Sequence, residues 1–71
     1  MELNTLLCAS LPDIISFLEL DIEKELEAKK LYEGYARELK DERLANMLIN
    51  FMRDEEEHIK KLHELLSKLK T

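Results

Sequence analysis

The stretch Ala36-Arg37-Glu38-Leu39-Lys40-Asp41-Glu42-Arg43-Leu44 interrupts an otherwise regular apolar rhythm. Before it, Ile15, Leu18, Ile22, Tyr32, Ala36 and Leu39 keep a helical three-and-four spacing, and after it Leu44, Leu48, Phe51, Leu62, Leu65 and Leu69 do the same. Between Leu39 and Leu44 the step is five residues. Such a step turns the stripe by about 140° on a straight helix, so one unbroken helix would present its two halves on different faces. Asp41 supplies an N-cap for a second helix. The spacing therefore predicts an all-α antiparallel two-helix hairpin, with helices at about 11–39 and 42–70 and a tight turn at Lys40-Asp41. No glycine marks that turn, and a single long helix in a coiled coil stands as the structural alternative.

Outward from the turn, Ser10-Leu-Pro12-Asp13 reads as the start of the first helix. Ser10 caps free amides, Pro12 falls where a missing N–H costs little, and Asp13 complements the positive end of the helix dipole. Residues 1–10 form a short apolar arm ahead of it, a candidate for capping a bundle or joining dimers. Gly34, the only glycine, falls inside the first helix, where it costs about 1 kcal/mol relative to Ala.

The chain has 71 residues, 45% hydrophobic and 38% charged, with no Gln and no Trp, which describes one small helical domain. A chain of this size buries only about 60% of its unfolded surface and needs a partner or a metal for full stability. Its net charge of -5 repels phosphate backbones, so nucleic acid is not an expected partner. The lone Cys8 has no disulfide or zinc partner within the chain and reads as a small buried hydrophobe in a reducing, cytoplasmic compartment. The N-terminus lacks the basic residues of a secretory signal, and its apolar run is too short to cross a membrane.

The informative anomaly lies in the seams themselves. That of the second helix continues as Phe51, Glu55, His58, Leu62, and that of the first as Ile22, Glu25, then Tyr32 beyond Lys29. At 1.5 Å per residue, Glu25 lies about 24 Å from the turn, and Glu55 and His58 about 21 and 25 Å along the returning helix. All three share one level. A carboxylate in an apolar seam is costly unless paired, protonated or bound to a cation, and two carboxylates with an imidazole suit a divalent metal. Glu55-x-x-His58 sets both side chains on one helix face, within reach of one ion. Each hairpin then carries half the inventory of a di-iron carboxylate bundle, and a homodimer closing a four-helix bundle supplies the whole. The competing reading is a helical dimer or interaction module in which these polar residues only set register.

The segments Glu25-Leu-Glu27-Ala28-Lys-Lys-Leu-Tyr32, with Ala36 beyond, and Arg53-Asp-Glu55-Glu-Glu-His58 resemble the ferritin-like superfamily, most closely rubrerythrin-type and encapsulated-ferritin proteins, from Lys24 to Leu65. The resemblance implies that Glu25, Glu55 and His58 are catalytic iron ligands, that Tyr32 packs beside the site, and that Glu27 stands near an outer metal site. Lys24 occupies a position where those proteins tend to carry an acid. The implied cofactor is iron, two ions per dimer, with manganese or zinc accommodated by the same ligands. The implied activity is ferroxidase, with dioxygen or peroxide as oxidant, and peroxide reduction of the rubrerythrin kind as the alternative. The sequence after Leu65 does not resemble an encapsulin-targeting peptide, and no cysteine quartet of the rubredoxin kind is present. His63, five residues past His58, points away from it, whereas Tyr35 is expected in the bundle core.

Overall fold

The computed structural model describes residues 10–71; the apolar arm and Cys8 lie outside the described residues. Two helices, α1 (Leu11–Glu38) and α2 (Glu42–Lys70), lie antiparallel as a hairpin, with no strand among the described residues.

Local chemistry sets each boundary. Ser10 is extended, and its hydroxyl accepts from the Asp13 N–H at 3.3 Å, with Pro12 inside the first turn. α1 ends when Leu39 turns extended (φ -78°, ψ 130°), its N–H still donating to the Tyr35 carbonyl at 3.1 Å. Asp41 is extended as well, and its carboxylate accepts from the Arg43 and Leu44 N–H groups at 2.9 and 3.3 Å. No described residue has a positive φ, which explains a connection made without glycine. The chain reverses through a bend at Lys40 between extended Leu39 and Asp41, and the cap on α2 replaces the turn chemistry that glycine would supply.

The helices meet along a narrow core. Leu18 and Ile22 of α1 pack on Leu66 of α2, with Ile15, Ile59, Leu62 and Leu69 half-buried around them, and Ala36 is buried nearer the turn. The α2 seam thus departs from the expected one. Leu66 is 6% exposed, while Leu65, expected in the core, is 45% exposed. A strict three-and-four stripe drifts around a helix of 3.6 residues per turn, so the packed face passes through Ile59, Leu62, Leu66 and Leu69, and Leu65 falls to one side. Tyr35, expected in the core of a four-helix bundle, is exposed in the single hairpin, on the flank of α1 turned away from α2.

The two broad faces of the hairpin differ in chemistry. One is laced by ion pairs: Glu19 with Lys70 and Lys29 with Glu56, both at 3.1 Å, and Glu33 with Arg37 at 2.7 Å. On helical geometry the other face carries Ile14, Phe17, Leu31, Tyr35 and Leu39 from α1, and Leu44, Met47, Phe51 and Leu65 from α2, all exposed. The hairpin measures 49 × 29 × 14 Å, one layer of helix thick, and its radius of gyration of 16.1 Å exceeds the roughly 11 Å of a compact chain of this length.

Candidate metal centre

Halfway along the hairpin, on its apolar face, Glu25 of α1 meets Glu55 and His58 of α2. One side-chain donor atom from each lies within 4.8 Å of the other two. The coincidence follows from counting. Glu25 is sixteen residues before Asp41 and His58 seventeen after it, so a straight antiparallel pair brings them level. Glu55, one turn from His58, completes the group from the same helix face.

His58 Nδ1 and Glu25 Oε1 are 3.1 Å apart. In the hairpin this is a hydrogen bond, with the tautomer that protonates Nδ1 making the imidazole the donor. The same separation suits two ligands of one cation, because donors each about 2.1 Å from an ion stand about 3 Å apart when adjacent. Hard carboxylate oxygens with an imidazole nitrogen are a donor set for iron, manganese or zinc, so the residues present fit a divalent metal. Exposure differs among them: the Glu25 side chain is 17% exposed and that of His58 58%, since His58 sits on the flank that faces outward.

Electrostatics mark Glu25 as the strained member. Its carboxyl is held above its ordinary value, first by burial, then by repulsion from Asp21 and Glu55, while the His58 hydrogen bond pulls weakly the other way. Asp21 was not legible as part of this group from the seam pattern, although it precedes Glu25 by one helical turn. It is half-buried, and with Glu25, His58, Lys61, Leu62 and Leu65 it lines an open groove of about 370 Å³. The i to i+4 spacing of the two acids was the signal available in the sequence.

The remaining expected residues lie apart from this group. Tyr32 is two turns from Glu25, its ring tilted at 55° against Phe51 with centroids 5.6 Å apart. Its hydroxyl makes no hydrogen bond among the described residues, so within one hairpin it buttresses the helix pair instead of touching a candidate ligand. Glu27, two residues from Glu25, is exposed on the far side of α1. His63 is exposed and lines a separate groove with Glu19, Ser67 and Lys70 on the ion-paired face. No described helix is long and apolar enough to cross a membrane.

The chain matches no curated protein and no solved structure. A family model described as a ferritin-like domain matches residues 6–71, nearly the whole chain. With two long helices carrying a Glu and a Glu-x-x-His at one level, and with that match, the chain belongs to the ferritin-like domain family.

Proposed function

We propose that this protein oxidises Fe(II) at a centre shared between two copies of the chain, with Glu25, Glu55 and His58 of each as ligands. The observation that carries the reading is the convergence of those three donors within 4.8 Å on a face that carries exposed apolar residues among the described residues. One hairpin offers two carboxylates and one imidazole. Two hairpins facing each other offer four and two, enough for a pair of ions, and the apolar residues around the site exclude water once paired.

Iron is the substrate in this reading. Two Fe(II) each give up one electron, and dioxygen takes the pair with two protons as hydrogen peroxide. Oxygen-rich ligation favours the ferric product, because hard anionic donors stabilise the higher charge. The residues' own task is to hold charge in place: Glu25, half-buried and repelled as an anion by Asp21 and Glu55, would be relieved by a cation, with His58 Nδ1 freed from Glu25 to serve as a ligand.

The test is anaerobic Fe(II) titration of metal-free protein, with mass determination before and after, followed by air. About one iron per chain, a dimer or larger even-numbered assembly, and oxidation lost in Glu55→Ala support the reading. Supplying peroxide in place of air separates ferroxidase from peroxide-reducing chemistry. A second reading, a metal-free interaction module, is favoured by one observation: the Glu25–His58 hydrogen bond pairs two of the three polar seam residues without a cation. It predicts that His58→Leu keeps or raises stability and that iron does not bind stoichiometrically.

A further inference from the structure

Among the described residues Lys29 is the only lysine or arginine that is not exposed. It follows Glu25 by one turn of α1, about 40° further around the helix, on the flank that faces α2. A glutamate with a lysine four residues after it is the order in which two such side chains meet most readily on a helix. Glu33 and Arg37 have the same spacing on the same helix, and they do meet, at 2.7 Å. Glu25 and Lys29 take other partners. Glu25 is bonded to His58, and the Lys29 Nζ lies 3.1 Å from Glu56 Oε2, across on α2.

This choice of partner keeps an internal cation apart from the carboxylates of the centre. Glu56 directly follows Glu55, and one residue turns a helix by about 100°, so Glu55 joins Glu25 and His58 while Glu56 stands on the ion-paired face. Glu56 thus draws the Lys29 ammonium to the opposite side of the hairpin. What remains around Glu25 repels it: Asp21 and Glu55 both push on its carboxyl, and Lys29 is not among the groups that act on it. The flexible stem of a lysine serves either partner. An ammonium on Glu25 would neutralise the carboxylate as a bound metal does, and would compete with the metal for it.

Resting on the reading of Glu25, Glu55 and His58 as metal ligands, we propose that Glu56 is a positioning residue of the centre: by holding Lys29 on the ion-paired face, it leaves the Glu25 carboxylate open to a divalent cation. Glu56 is not one of the three converging donors, and its side chain is 46% exposed, so its own charge is screened by solvent. It acts through Lys29. Released from Glu56, Lys29 finds Glu25 one turn before it as the next carboxylate, and an incoming metal must then displace an ammonium. The two halves of the pair therefore affect the centre in opposite directions: Glu56 protects it, and Lys29 is the competitor held away.

Calorimetric titration of the metal-free full chain with Mn(II) tests this without any turnover. Glu56→Gln should weaken Mn(II) binding about tenfold, the effect of losing a group that supports a metal ligand. Lys29→Met should bind Mn(II) at least as tightly as wild type. In the Lys29→Met background, which has no ammonium to release, the same Glu56→Gln change should move the affinity by no more than about twofold. Equal losses in Glu56→Gln and Lys29→Met would make the pair a simple tie between the helices. A Glu56→Gln loss of the same size in both backgrounds would show Glu56 acting by its own charge, and no loss in either would show that Lys29 does not reach Glu25. Each of these outcomes overturns the proposal and leaves the centre standing. Wild-type Mn(II) binding that is absent, or that is unchanged by Glu25→Gln, overturns the centre and the proposal together.

Discussion

Glu25 concentrates the chemistry of the site in one residue. Its carboxyl is raised by burial and by Asp21 and Glu55, so folding favours its protonated form relative to the unfolded chain. The sign of the consequence follows. Below the ordinary carboxyl value the group is protonated in both states and contributes nothing. As pH rises through the interval between that value and the raised one, the unfolded chain ionises first and the metal-free fold loses stability; above it the loss is constant. Urea midpoints of metal-free wild type should therefore fall across this interval, and Glu25→Gln should flatten that part of the profile while weakening metal binding. A wild-type profile that rises there, or a variant with the same slope, would show that Glu25 does not feel this burial. Because a cation must displace the retained proton, metal affinity should also drop as pH falls through the same range.

At the scale of the element, the turn decides whether the two seams can face each other. Asp41 accepts two amide hydrogen bonds at the start of α2, and no glycine takes any share of the reversal. Asp41→Ala should cost about 1 kcal/mol of hairpin stability, read from denaturant unfolding of the metal-free protein, and Asp41→Asn much less. Equal losses in both variants would place the effect in charge instead of capping. The break between Leu39 and Leu44 was legible as a change of phase, and so was the cap. The seam of α2 was legible only in part. Leu62, Leu65, Leu66 and Leu69 offer two overlapping stripes, and spacing alone does not say which one meets α1.

On the scale of the whole molecule, the hairpin is a single layer with one charged and one apolar face, so its stability is divided between an internal core and an unpaired surface. Leu66 and Leu65, adjacent in sequence, belong to different halves of that division. Leu66→Ala should cost about 2–5 kcal/mol at every protein concentration, because it empties the core against Leu18 and Ile22. On the proposed pairing, Leu65→Ala should instead act through association, lowering the melting temperature where the protein is concentrated enough to pair and little where it is dilute, because Leu65 is exposed in the lone hairpin. Melting curves over a hundredfold range of concentration distinguish the two, and a Leu65 effect independent of concentration would remove that residue from the subunit contact.

Length, composition, the phase break at Leu39 to Leu44 and the caps at Ser10 and Asp41 determined two helices and a hairpin, because helix periodicity and end chemistry are local properties of the chain. Glu25, Glu55 and His58 were readable as one site for the same reason: in an antiparallel pair, distance from the turn is a count of residues. Which flank of each helix is buried was not determined this way. Tyr35, Leu65 and Leu66 took their places only when α1 and α2 settled at one rotation about their axes, and that rotation is chosen by packing across the whole length of the pair. The part of Asp21 belongs to the tertiary structure as well, since its effect on Glu25 depends on the partial burial that α2 imposes on both.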